Sequence, residues 1–594
     1  YRPDAVCPHF YYGKIRFKWE SPSGHQLAAY LYIPQNATKD TPAPGVVTIE
    51  GWYNNKEMQD LYSIELARRG YVVLALDLHS HGDSESLSIA ELYDGAVGVD
   101  GAVQLIASLP YVDTARIGVT GHSSGGTAAN MAVEIDNSRE TPLIAAVLQQ
   151  AGDWQDDTGG DHSGDYGSRS VGIIASTHDD FYFGTYDDAG NMLTNPAAFM
   201  ETDGAKKFLN FNEDGFAGIA EGGKYYTRDF DGKTAYRVIY RPNMIHPLVA
   251  FSTTCVGYAV DFFDTTLGAP KPLPASDQIW PIKAVFNSLG VIGLLIFMVS
   301  FTLVLLDTPV FSALRSGEIV QPAPVQDSGA KAWYWVLLII GAVFSGASFL
   351  FCMNTVYSKT TNFFVQTGPL TIGTWAALCG VFAIFCSAVF YGAYGKKHGW
   401  SARRAGLYLN LEQLWKTIAL AVIVIVVSFG LVFAAHYFFQ VDYRMYVVAF
   451  KTFGADKVLI ALRYLPFFLL FYVMNSISAN CFNYNTIGGK NGNILIFAFF
   501  NALGAIFVVA SQYIYFYATG YQLYGLTEGQ RIGPIWLFPC MVLLFVTPIM
   551  SRIIYKRTRN PYIAGLINAM FIVMISCSNT TTILGGGELI ATTF

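Results

Sequence analysis

The sequence predicts an α/β domain with a doubly wound, mostly parallel sheet, followed by an all-α transmembrane bundle of about eight helices. Three observations carry that expectation. Apolar β-rich runs alternate with helical stretches through the first 268 residues, the pattern of a parallel sheet covered on both faces. Gly121-His122-Ser123-Ser124-Gly125, with Gly126 behind it, sits between the strand-like Arg116–Thr120 and the helix formers of Thr127–Val133. From residue 281 onward, long apolar runs alternate with short polar stretches, each run near the 20 residues that cross a bilayer.

The elements follow in order. Lys14–Trp19 and Leu27–Ile33 alternate around the Ser21-Pro22-Ser23-Gly24 turn and read as a hairpin. Val46–Ile49 and Tyr71–Leu76 are continuous apolar runs, the signature of strands buried on both faces. Between them a helix runs through Leu61, Ile64 and Leu66 to Gly70, and a second helix over about 90–109 leads to the strand before Ser123. Leu143–Leu148, Val171–Thr177 and Tyr236–Tyr240 are further strands, and Ala250–Leu267 is a closing helix. Residues 182–232 read as an insertion near the mouth of the site. Ala269-Pro270-Lys271-Pro272-Leu273-Pro274 is a stiff linker. The domains are therefore 1–268, a Pro-rich linker 269–280, and a polytopic region 281–594. Its spans fall near 284–306, 332–353, 371–394, 417–439, 457–478, 494–518, 534–555 and 561–584, the fifth interrupted by Arg463 and Pro466.

The composition narrows the function. A net charge of -6 argues against a nucleic-acid partner. Eight cysteines in 594 residues do not form a disulfide scaffold; only Cys7 and Cys255 lie in the first half, either bridged or as two free thiols. The chain opens on Tyr1-Arg2-Pro3-Asp4, which fits removal of a signal segment or numbering that starts after an anchor. Asp153, Asp156, Asp157, Asp161 and Asp165 crowd residues 152–170, but their spacing does not match an EF-hand, so a solvated loop is expected, with no metal and no cofactor.

The Gly-x-Ser-x-Gly turn, the Asp77-x-x-x-x-Gly82-x-Ser84 stretch and the order of strands resemble an α/β-hydrolase over residues 12–268. The Gly-His-Ser-x-Gly-Gly form resembles the dienelactone-hydrolase and prolyl-oligopeptidase-like branch. The resemblance implies a triad in the chain order Ser, acid, His. Ser123 is then the nucleophile. His246, after the last strand, is the base. Asp179 is the acid, with Asp180 as the alternative. The oxyanion hole would use the N–H of Ser124 and that of Trp52 or Tyr53. Glu50-Gly51 stands where many relatives carry His-Gly, and a buried Glu there must be paired or turned away. Of the remaining histidines, His122 and His178 read as structural or loop residues, and His79 or His81 as a loop residue or pocket lining.

Lys396, Lys397, Arg403 and Arg404 follow the third span, and Arg552, Lys556, Arg557 and Arg559 follow the seventh. An alternating path puts both clusters on one side, the cytoplasm, and the hydrolase on the other, in a multi-pass plasma-membrane protein. Few charged residues lie within spans, which favours an anchor and assembly domain that presents lipid-like substrates over a transport path. The expected activity is a carboxylesterase- or lipase-like serine hydrolase acting on a small-molecule or lipid-like ester, with the bilayer, a second copy or membrane subunits as partners. The rivals are a peptidase or amidase of the prolyl-oligopeptidase-like kind, and a transporter or receptor whose hydrolase-like domain binds ligand.

Overall fold

The computed structural model describes residues 12–588 apart from 157–158, 188–191 and 326. Its first half is built on one nine-stranded sheet. Strands β1 (Tyr12–Glu20), β2 (Gln26–Pro34), β3 (Ala43–Ile49), β4 (Val72–Asp77), β5 (Val112–His122), β6 (Ile144–Gln150), β7 (Ser170–Ile174), β8 (Tyr226–Phe230) and β9 (Lys233–Tyr240) are ordered β1-β2-β4-β3-β5-β6-β7-β9-β8. The six central strands from β4 to β9 run parallel, and hairpins close both edges. Every residue of β3 and β4 is buried, as their unbroken apolar runs require. Helices α1 (Asp60–Arg68), α2 (Val99–Ala107), α3 (Ser124–Asn137) and α4 (Thr253–Leu267) cover the two faces.

Two expected helices are shorter than the sequence pattern implied. The one over 90–109 starts as a separate turn, Asp94–Val97, because Gly98 takes a φ of 92° that breaks the ladder before α2. The closing helix begins at Thr253, capped by the Ser252 side chain, and a separate turn, His246–Val249, precedes it.

The second half is a bundle of α5 (Trp280–Leu306), α6 (Ser328–Thr355), α7 (Thr367–Phe390), α8 (Leu411–Phe439), α9 (Ala455–Ile477), α10 (Gly489–Thr519), α11 (Glu528–Thr558) and α12 (Tyr562–Ser578). Among the described residues seven helices are long and apolar enough to cross a membrane, and α12, with 17 residues, is shorter. The eighth span expected over 561–584 thus stops at Ser578, and residues 579–584 continue as a non-helical strap. The path of α12 is nonetheless a full traverse. Its start meets the loop between α7 and α8, through Tyr562 Oη to the Leu407 carbonyl, while Thr581, beyond its end, meets the hydrolase. Pro466 lies inside a continuous α9, and the Arg463 guanidinium reaches the Phe363 carbonyl at 3.0 Å. Arg552, counted above with a basic loop, is instead buried within the bundle. It donates to Asn480 Oδ1, Asn493 Oδ1 and the Ala479 carbonyl, and lies 3.9 Å from the Tyr484 ring centre.

The two halves are fastened rather than loosely tethered. The linker is pinned to α1: Arg69 donates to the carbonyls of Leu273, Pro274 and Asp277, and Arg68 pairs with Asp277 at 3.1 Å. The loop joining α8 to α9 supplies Lys451, 3.1 Å from the buried Glu57, and Arg444, 3.0 Å from Asn55. Glu57 lies beside Lys56, whose ammonium also pairs with Asp77 and Asp83. Gly82 closes over this cluster with a φ of 49°, and a side chain there would strike the Asp77 carboxyl. The Asp-x-x-x-x-Gly stretch is therefore a turn wrapped around a buried ion-pair network. Such a network costs desolvation and tolerates no missing partner.

Candidate active site

Ser123 sits between β5 and α3 with φ 55° and ψ -125°, a conformation that L residues adopt only under constraint. The constraint is steric. A Cβ at Gly121 would fall 2.2 Å from the Gly125 backbone, and one at Gly125 would fall 2.3 Å from the Glu50 carbonyl oxygen. The serine N–H donates to the Gln150 carbonyl at 2.8 Å, and its own carbonyl accepts from Gly126 at 2.7 Å. Ser124 is the first residue of α3, where N–H groups lack partners within the helix and the dipole favours negative charge.

His246 and Asp179 meet. The imidazole Nδ1 lies 2.9 and 3.1 Å from the two carboxylate oxygens, and both side chains are buried. Asp179 also accepts from the N–H groups of Phe181 and Tyr182 and from the Ser176 hydroxyl, so every other neighbour is a donor. With an acceptor facing it, Nδ1 carries the proton and Nε2 is left with a lone pair. The ring is fixed on three sides by Phe181, Tyr182 and His122, at centroid distances of 4.9, 5.8 and 4.7 Å. Burial, with His246 alongside, pushes the His122 imidazole down to about 3, so it packs as a neutral group, 3.2 Å from the His246 carbonyl.

Asp180 plays a different part. Its Oδ2 accepts the His246 backbone N–H at 3.2 Å, and burial next to Asp179 holds its carboxyl well above the usual carboxylate range. Ser123 lines the same cavity as His246, Ser124 and Trp52. The hydrogen bonds of this resting geometry join His246 to Asp179, and none joins it to Ser123. Such contacts often tighten only when substrate is bound.

At the other wall, the Tyr53 N–H donates to Thr581 Oγ1 at 3.3 Å, which occupies the alternative oxyanion donor. The Trp52 ring stacks on His81 at 4.9 Å, and His81 in turn contacts Thr581 Oγ1 at 2.9 Å. His79 and His81 are both buried, outside the cavity lining. Glu50 is buried as well. Its carboxyl accepts from the Leu78 N–H, and burial, then Asp77, raises it well above its ordinary range, which disfavours a negative charge there. His178 packs against Phe516 and Tyr517 of α10. In the acidic loop, His162 lies between Asp156 at 3.0 Å and Asp165 at 2.8 Å. Cys255 is buried beside Met244, and Cys7 falls outside the described residues. Among the described residues no group of three or more His, Cys, Asp or Glu is placed to hold a metal ion.

Sheet order, elbow and covering helices define the class: an α/β-hydrolase domain joined to a C-terminal bundle of apolar helices. A family model and a curated relative match part of the N-terminal segment. The family model described as "Esterase FrsA-like" matches residues 9–148. An uncharacterized protein of Pseudomonas aeruginosa is 35% identical over 117 residues, which is 19% of this chain and 31% of that protein. The chain thus spans under a third of the length of the curated relative it matches. Similar solved structures include a hypothetical protein from Pseudomonas aeruginosa (28% identity, TM-score 0.21, 24% of this chain and 43% of that one). They also include a dienelactone hydrolase from Anabaena variabilis (14% identity, TM-score 0.29, 43% of this chain and 100% of that one). A third is an esterase from Pyrococcus furiosus (12% identity, TM-score 0.28, 43% of this chain and 94% of that one).

The sequence left two contributors unnoticed. The strap residue Thr581 meets the Tyr53 N–H and the His81 ring behind Trp52, and Tyr182 lies nearly parallel to the His246 ring, 13° between planes. Neither carries a local motif.

Proposed function

We propose that this chain is a membrane-tethered serine hydrolase of the carboxylesterase or lipase type. His246 Nε2 takes the proton of Ser123 as its Oγ attacks the ester carbonyl carbon. The N–H groups of Ser124 and Trp52 receive the oxyanion. Collapse of that intermediate expels the alcohol, which takes the proton from His246 and leaves an acyl-Ser123 ester. Water, deprotonated by His246, then releases the acid and restores the serine. Asp179 keeps the proton on Nδ1 throughout and offsets the charge of the transient imidazolium. The observation that supports this reading is the strained Ser123 turn sharing a cavity with an imidazole whose Nδ1 is bound to a carboxylate.

The extracytoplasmic placement of the hydrolase rests on charge. The loops at 356–366, 440–454 and 520–527 and the strap all touch the hydrolase, through Tyr357, Lys451, Gln522 and Thr581. The basic residues at 396–404 and 556–559 belong to the opposite end, where Tyr555 reaches the Ala405 carbonyl and Val320 the Lys556 carbonyl. Short basic loops are retained in the cytoplasm.

The test is Ser123→Ala in the full-length protein. Fluorophosphonate labelling and ester turnover should both fall by about 10⁴ or more with the fold intact. Undiminished labelling of the variant would reject Ser123 as the nucleophile.

A further inference from the structure

We infer that the helical bundle is the acyl-chain pocket of the Ser123 site, and that the substrate is a long-chain lipid ester whose tail lies inside the membrane domain. The inference rests on the proposal that Ser123 is the nucleophile, and it names the substrate class of that site.

A single cavity of about 880 Å³ carries it. At one end are Trp52, Ser123, Ser124 and His246. From there it continues between α6, α7, α9, α10, α11 and α12. Along α7 its lining begins at Gly368 and reaches Phe390, roughly 33 Å at 1.5 Å per residue. That exceeds the ~30 Å hydrocarbon thickness of a bilayer. A site for a small water-soluble ester has no use for such a length.

The wall chemistry selects an apolar occupant. Leu338 and Phe344 of α6, Ile372 and Phe382 of α7, Phe471 of α9 and Trp536 of α11 all face it. The polar groups at mid-depth are already satisfied by each other: Asn475 donates to Asn501 Oδ1 at 2.6 Å, and Asn501 to the Leu544 carbonyl at 2.6 Å. Charged lining residues stand only near the two mouths, Arg444 and Glu528 towards the hydrolase and Arg404 at the far end. An ion or proton path would carry charged groups in between. An ester group at Ser123 with its hydrocarbon tail in the bundle satisfies both ends of the cavity.

The geometry also supplies a ruler. Ile372 lies five residues into α7, about 7 Å from its hydrolase-side end. Gly341 lies 14 residues from the hydrolase-side end of α6, about 21 Å deep, and a Cβ there would meet no atom within 4 Å. A large side chain at either position obstructs the cavity at a different depth.

The experiment uses the full-length protein in detergent micelles and p-nitrophenyl esters with acyl chains of 2 to 20 carbons, alongside a small fluorophosphonate. Wild type should prefer the long esters. Ile372→Trp should lower the ratio of kcat/KM for the 16-carbon to the 4-carbon ester ten-fold or more. Gly341→Phe should move the cut-off to longer chains than Ile372→Trp does, and both variants should still be labelled. If Ile372→Trp does not fold, the cut-off of Gly341→Phe alone decides. Chain-length profiles that match wild type in labelled variants would overturn the chamber while leaving the nucleophile standing. A wild-type protein that is never labelled at Ser123 would overturn both.

Discussion

Replacing Asp179 and Asp180 in turn separates two adjacent buried carboxyls that the sequence alone left as alternatives. In Asp179→Asn, the N–H groups of Phe181 and Tyr182 both aim at Oδ1, so the amide oxygen must stay there. The amide nitrogen then replaces Oδ2, 3.1 Å from His246 Nδ1 and 2.9 Å from the Ser176 hydroxyl. An N–H donor at the Oδ2 place now competes with the amide oxygen, 2.9 Å from Nδ1, and the full negative charge that offsets the imidazolium is lost, so both the productive tautomer and the charged intermediate lose support. The expected loss in kcat is about 10⁴, equivalent to about 5.5 kcal/mol. Asp180→Asn should do little. Burial beside Asp179 already disfavours charge on that carboxyl, and an amide oxygen can accept the His246 N–H as its Oδ2 does at 3.2 Å. Its kcat should stay within about ten-fold of wild type, the scale of a single neutral hydrogen bond. The assay is p-nitrophenyl butyrate turnover and fluorophosphonate labelling rate, with thermal melting to exclude unfolding. A greater loss in Asp180→Asn than in Asp179→Asn, both folded, would refute the assignment.

Two further outcomes are expected. Burial raises the Asp153 carboxyl from 3.8 to about 6, so both folded and unfolded chains hold the proton below pH 4, whereas above pH 6 the folded state must bury a charge. The resulting penalty grows between those values to about 3 kcal/mol. Asp153→Asn should therefore gain melting temperature over wild type at pH 8 and lose that advantage at pH 4, and a pH-independent difference would contradict the cause given. For sidedness, a membrane-impermeant serine probe should label Ser123 in intact cells. A cysteine placed at Ser401 should react with an impermeant maleimide only after the membrane is opened, and the reverse pattern would turn the protein over.

The α/β-hydrolase half was legible because its signals are local. The paired glycines around Ser123 are demanded by atoms within a few residues, and the unbroken apolar runs of β3 and β4 announce a sheet buried on both faces. His246 was found by its place after the last strand rather than by any motif. What escaped notice was assembled from distant parts of the chain. Lys451 reads as a loop lysine until Glu57 is seen beside it, and Arg552 reads as an interfacial positive charge until Asn480 and Asn493 close over its guanidinium. The end of α12 was overextended because apolar residues such as Ile583 continue past the helix; there they pack into the hydrolase core instead of lipid. The chamber is lined from six helices, and no periodicity in one of them distinguishes a cavity wall from a packed face.

The strap has a consequence for biogenesis. Tyr53 is held by Thr581 across 528 positions of sequence, and Asn55 by Asn579 across 524. The hydrolase segment is synthesised before the strap, so the loop carrying Tyr53 and Asn55 acquires its backing only after the helices between them have been made. A nascent chain can thus hold a folded sheet and a Ser123 turn before the wall beside them is backed, and that wall is completed only when the strap returns to it.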